Sequence, residues 1–144
     1  PDIFHQGLVL GGGVANGGRV MKPYVVQEVV ASDGQVVRTT RPEQWLEATG
    51  AATADQLNVM MQRVVTSGTA TAAALEGIEV AGKTGTAEKG DGTNLAWFIG
   101  FAPADDPRVA VAVVVEDTLS TGGEAAAPLA AAVLKAALTQ TDLP

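Results

Sequence analysis

The chain has 144 residues and is 47% hydrophobic, with one histidine and no cysteine. This length makes one domain, or a large part of one, with a real core filled mainly by small aliphatic side chains. Without cysteine there are no disulfides or thiolate metal sites, and one histidine cannot build a histidine metal cluster. A net charge of −7 argues against nucleic acid, or a basic membrane surface, as the main partner.

The first eighteen residues are the least regular, because Gly11-Gly12-Gly13 opposes a helix. Val25 to Val30 and Val36 to Thr40 flank Ser32-Asp33-Gly34-Gln35, and Asp-Gly between β-branched runs predicts a hairpin. Arg41 to Gly50 reads as a surface connection, anchored by Trp45. Thr53-Ala54-Asp55-Gln56 fits a capping box. Leu57, Met60, Met61, Val64 and Val65 then form one apolar helix face, which Gly68 stops. The methionine pair reads as core filling. Thr71 to Leu75 is a further short turn. His5 lies outside any motif and reads as structural.

Glu79 to Glu88, Leu95 to Ala102 and Arg108 to Glu116 read as three strands with short connections, hence antiparallel. The last is apolar on both faces, which predicts a central strand. Its core, Val109 to Val115, is the longest apolar run and far short of the ~18 residues of a membrane span. Glu124 to about Leu138 reads as an alanine-rich helix, with Pro128 tolerated in the first turn. The expected fold class is α+β: an antiparallel sheet flanked by helices.

The chemistry concentrates in Ala81-Gly82-Lys83-Thr84-Gly85-Thr86-Ala87. On a strand, Lys83 lends charge, Thr84 a hydroxyl and Gly85 room for close approach, while the backbone offers hydrogen bonds to an extended ligand. A lysine guarding an exposed edge strand would look the same from these residues alone. Gly77 to Thr84 also matches the phosphate-binding loop G-x-x-x-x-G-K-[ST]. That loop must follow a strand and open a helix; here Ala72-Ala73-Ala74-Leu75 precedes it and glycines follow it, so nucleotide binding is the weaker alternative.

Wider context favours another reading. Ala15-Asn16-Gly17-Gly18 with Lys22-Pro23-Tyr24, Val65-Thr66-Ser67-Gly68-Thr69-Ala70, the Lys-Thr-Gly stretch through Glu88, Trp97 to Pro103, and Gly122-Gly123 with Ala126-Ala127-Pro128 follow in the order of one family. Together they cover nearly the whole chain. The chain resembles the penicillin-binding transpeptidases of class B, of the penicillin-binding protein A kind, which share Lys-Thr-Gly with serine β-lactamases.

The resemblance implies a penicillin-binding transpeptidase or serine β-lactamase-like fold. It implies acyl transfer from the D-Ala-D-Ala end of a peptidoglycan stem peptide, with β-lactams trapping the serine nucleophile. Lys83, Thr84, Gly85 and Thr86 would be the catalytic and substrate-binding residues. The Thr86 N–H would stand in the oxyanion hole, and neither cofactor nor metal is implied. The family's nucleophile sits in Ser-x-x-Lys, with a second serine in Ser-x-Asn. Ser32, Ser67 and Ser120, the three serines here, fit neither. The chain is therefore expected to be the C-terminal part of the domain, inactive alone. It would be partnered by the N-terminal part, on the extracytoplasmic face of a bacterial membrane with its anchor upstream. A β-lactam sensor or β-lactamase of the same fold is the other alternative.

Overall fold

The computed structural model describes residues 3–140, with side chains placed from residue 6. Its centre is a three-stranded antiparallel sheet of β5 (Ala81–Glu88), β6 (Asn94–Ala102) and β7 (Val109–Thr118), in that order. The register pairs Lys83 with Ile99, Gly85 with Trp97 and Phe98 with Val113. Alternation along the strands then sends Thr84, Phe98 and Val113 to one face and Lys83, Ile99 and Ala112 to the other.

Helices cover both faces. On the first face, Val80, Phe98, Ala102 and Val111 pack with Ala126, Ala127, Ala130 and Leu134. The last three belong to α3 (Ala127–Thr139), and Ala126 ends a π-helical turn, Gly122–Ala126, that leads into it. On the second face, Phe101 and Ala81 pack with Met61, Ala104, Val14 and Ala15. Helix α2 (Ala51–Ser67) supplies Met61 to one cluster and Val65 to the other, so it joins the two halves of the core. This is the α+β arrangement expected from the sequence.

Several local expectations differ. The glycine-rich opening is helical: α1 spans Ile3–Ala15. Two of its glycines permit close contacts, one with the central sheet and one with Val20. A Cβ on Gly7 would lie 3.2 Å from Ile99 Cγ2, and one on Gly13 would lie 3.2 Å from Val20 Cγ2. Close packing there outweighs the poor helix propensity of glycine. Arg41 to Gly50 is not a bare connection. It contains β4 (Gln44–Glu47), which pairs antiparallel with β1 (Arg19–Met21). Trp45 lies in β4 and is 59% exposed, so it does not anchor the segment by burial.

Helix α2 begins three residues before the expected capping box. Gly50 is its N-cap, and the Thr53 and Ala54 N–H groups donate to the Gly50 carbonyl. Ala51 and Ala52 are strong helix formers, so the helix extends back through them. A capping box does occur at Thr121 and Glu124, at the start of the π-helical turn. Finally, β7 is an edge strand among the described residues, and β6 is the central one. Helices on both sides of the sheet make β7 apolar on both faces without a second neighbouring strand.

The hairpin is as expected: β2 (Glu28–Val30) pairs with β3 (Val36–Thr39). Gly34 at its turn has φ +85°, a conformation glycine adopts without strain. Met61 is buried and Met60 is 53% exposed, so only one of the methionine pair fills the core. The role expected of His5 concerns a side chain outside those described. No helix among the described residues is long and apolar enough to cross a membrane.

Candidate active site

Strand β5 carries Lys83, Thr84, Gly85 and Thr86 along the outer edge of the sheet. On its far side no described strand pairs with it. An unpaired edge offers backbone N–H and C=O groups to an extended ligand. Lys83 is exposed, and its ammonium donates to the Thr84 carbonyl. Thr84 is 9% exposed and points to the opposite face.

Both threonine hydroxyls are held from behind. Thr84 Oγ1 lies 2.5 Å from Thr69 Oγ1. Thr86 Oγ1 accepts a 3.1 Å hydrogen bond from the Gly122 N–H. Accepting that bond leaves the Thr86 proton available to an acceptor elsewhere. Thr69 follows α2, and Gly122 opens the π-helical turn, so two distant segments converge on one strand.

Glycines permit the convergence. A Cβ on Gly122 would sit 2.3 Å from the Trp97 carbonyl oxygen and 2.4 Å from that of Gly85. A Cβ on Gly123 would sit 2.1 Å from the Thr69 carbonyl oxygen. On the strand itself, Gly82 makes room for the Phe98 ring, which a Cβ would approach to 2.3 Å. Gly85 is different: its Cβ would meet Trp97 Cβ at 3.4 Å, an ordinary contact. Nothing described within this chain requires glycine at position 85.

The hairpin joining β5 to β6 is tied down by charge. Lys89 pairs with Asp117 and, at 3.5 Å, with Asp91. Side-chain and backbone hydrogen bonds from Thr93 hold the Asp91 carboxyl down at about 2. The Lys89 ammonium is raised, chiefly by its hydrogen bond to Asp117. Backbone N–H and hydroxyl donation from Thr121 lowers Glu124. No group of three or more histidine or acidic residues suited to a metal occurs among the described residues.

The structure overturns the phosphate-loop alternative. Lys83 and Thr84 lie inside β5, an extended strand that runs on to Glu88. No helix follows them to present its N-terminus to a phosphate.

The penicillin-binding protein transpeptidase domain, as a family, matches residues 13–135. The chain belongs to this family. It is 44% identical over 138 residues to the peptidoglycan D,D-transpeptidase PbpA of Mycolicibacterium smegmatis, covering 88% of this chain and 27% of that protein. Among solved structures, it matches the D,D-transpeptidase domain of a peptidoglycan glycosyltransferase from Eggerthella lenta. There the TM-score is 0.86 at 43% identity, over 95% of this chain and 32% of the other. It also matches penicillin-binding protein A of M. tuberculosis, solved as a ceftriaxone acyl-enzyme complex. That TM-score is 0.87 at 38% identity, over 92% of this chain and 31% of the other. The chain thus spans between a quarter and a third of these three relatives, and the penicillin-binding transpeptidase fold expected from its motifs is the fold it has.

Sequence reasoning placed Lys83 to Thr86 on a strand, as the structure has them, but gave no role to Thr69 or Gly122. Both lie in stretches that carried the resemblance. The signal available was Gly68-Thr69 at the end of a helix and Gly122-Gly123 at the start of another. Neither pattern says which strand it meets.

Proposed function

We propose that this chain is the C-terminal part of a class B penicillin-binding D,D-transpeptidase, and that β5 is the substrate-binding wall of its active site. The observation that carries the reading is the Lys83-Thr84-Gly85-Thr86 edge. One rim of the strand is unpaired, Lys83 is exposed, and both threonine hydroxyls are fixed from the rear.

In this reading the serine nucleophile and its Ser-x-x-Lys and Ser-x-Asn motifs come from the N-terminal part of the domain. The D-Ala-D-Ala end of a stem peptide lies antiparallel along β5 as an added strand. Lys83 supplies compact positive charge near the second serine and the substrate carboxylate, and can join proton transfer. Thr84 and Thr86 direct hydroxyls to that carboxylate, and Gly85 leaves the approach open. Serine attack on the penultimate carbonyl develops an oxyanion, which the Thr86 N–H and the serine N–H stabilise. D-alanine leaves, and an amine from a second stem takes the acyl group, so one hard step becomes two easier ones. Loss of one oxyanion donor typically costs roughly 100- to 1,000-fold in rate. β-Lactams enter the same groove and remain on the serine. The domain works outside the membrane, anchored upstream.

The test is covalent labelling. Residues 1–144 alone take no adduct from a fluorescent penicillin. The full-length protein containing the serine motifs takes one, and Lys83→Ala in that protein slows acylation at least roughly tenfold, about 1.4 kcal/mol of transition-state stabilisation. A stoichiometric adduct on Ser32, Ser67 or Ser120 of the isolated chain would overturn the reading.

A further inference from the structure

Thr84 and Thr69 are paired hydroxyl to hydroxyl. Two hydroxyls at 2.5 Å share one hydrogen bond, so one proton is committed between them and the other is free. Which hydroxyl donates decides where the free proton points. If Thr69 donates, the Thr84 proton is available at the strand. If Thr84 donates, the strand loses a donor.

The backbone around Thr69 is held firmly. The Gly68 and Ala70 N–H groups both donate to the Val64 carbonyl at the end of α2, at 3.2 and 3.0 Å. Ala70 is fully buried. On the other side, Gly123 packs so closely on the Thr69 carbonyl that a Cβ would fall 2.1 Å from it. Thr69 is itself exposed, so burial of its side chain does not account for the site. Its methyl and hydroxyl ride on a fixed backbone, and the hydroxyl meets Thr84.

We propose that Thr69 is a positioning residue for ligand recognition: by donating to Thr84 Oγ1, it turns the Thr84 proton outward to the carboxylate of the ligand. This inference rests on the transpeptidase reading, in which Thr84 faces that carboxylate. Thr69 acts through Thr84 and touches no reacting atom.

The experiment compares two β-lactams in the full-length, serine-bearing protein: penicillin G and its methyl ester, which lacks the carboxylate charge. The readout is the ratio of their acylation rates. A ratio cancels any loss of folded protein. Thr69→Val keeps the shape and removes the hydroxyl, while Thr69→Ser keeps the hydroxyl. Thr69→Val is expected to narrow the acid-to-ester preference about fivefold, within the range one hydrogen bond contributes. Thr69→Ser should restore it to within about twofold of wild type by the same reasoning. If Thr69→Val slows both drugs equally, or leaves both unchanged, Thr69 has no part in carboxylate recognition. A Thr69→Ser protein as impaired as Thr69→Val would also overturn the assignment. Those results leave the transpeptidase reading standing. A wild-type protein acylated by neither drug would remove that reading, and this assignment with it.

Discussion

Gly122→Ala tests how the strand is held. The added methyl would stand 2.3 Å from the Trp97 carbonyl oxygen and 2.4 Å from the Gly85 carbonyl oxygen, about 1 Å short of ordinary contact. Both atoms are backbone, and Gly85 and Trp97 are paired partners on β5 and β6. Neither can rotate away as a side chain would. Gly122 does not have a positive φ, so alanine meets no conformational strain and the whole effect is steric. To relieve it, the π-helical turn must lift from the sheet and lengthen the 3.1 Å bond from Gly122 N–H to Thr86. Overpacking typically costs about 1–3 kcal/mol, and a lost hydrogen bond adds about 0.5–1.5. The expected loss is about 3 kcal/mol, a fall in Tm of roughly 10 °C for a domain near this size. Urea and thermal melts followed by far-UV circular dichroism measure it. The control is Gly85→Ala, whose Cβ meets Trp97 Cβ at 3.4 Å and which should change stability by less than about 1 kcal/mol. If Gly122→Ala melts like wild type, or if the two variants lose equal stability, the close-approach argument fails.

Other expectations follow from single observations. Phe98 is fully buried at the centre of the larger cluster, so Phe98→Ala should cost about 3–5 kcal/mol in a urea melt. Lys83 is exposed, so Lys83→Ala should leave the melting curve within about 0.5 kcal/mol of wild type even where it slows acylation; a large destabilisation would make it a structural residue. The Asp91 carboxyl is held below its ordinary value, from 3.8 to about 2, by hydrogen bonds from Thr93. A depressed folded-state value means that the contribution is present above about 3.8 and is lost as pH falls toward 2. An NMR titration should place Asp91 near the lower value in wild type and nearer the ordinary one in Thr93→Val. Amide hydrogens of β2 and β3, whose residues are all exposed, should exchange well before those of the buried strand β6. Equal protection would contradict the link between exposure and local opening.

The parts determined by sequence alone are those whose cause is local. The short apolar run Leu95 to Ala102, bounded by the glycine-rich Lys89 to Asn94 loop and the Pro103 to Pro107 turn, specifies a buried strand because it is too short for a helix of ordinary length. Asp33-Gly34 specifies the hairpin because its turn needs a positive φ. The spacing of Leu57, Met61 and Val65 specifies a helix face, and the Lys83-Thr84-Gly85-Thr86 stretch marked the candidate site and the family. Tertiary structure decided the rest, because the causes lie far along the chain. Gly11-Gly12-Gly13 becomes helical within α1, which packs Gly7 against Ile99 and Gly13 against Val20, contacts that lie outside the local sequence. Gln44–Glu47 becomes a strand only because Arg19–Met21 lies beside it. The hydroxyls of Thr84 and Thr86 gain their orientation from Thr69 and Gly122, fifteen and thirty-six residues away. No local pattern encodes those partners: a hydroxyl accepts whichever donor the packing of helix on sheet delivers, and only the folded chain specifies that delivery.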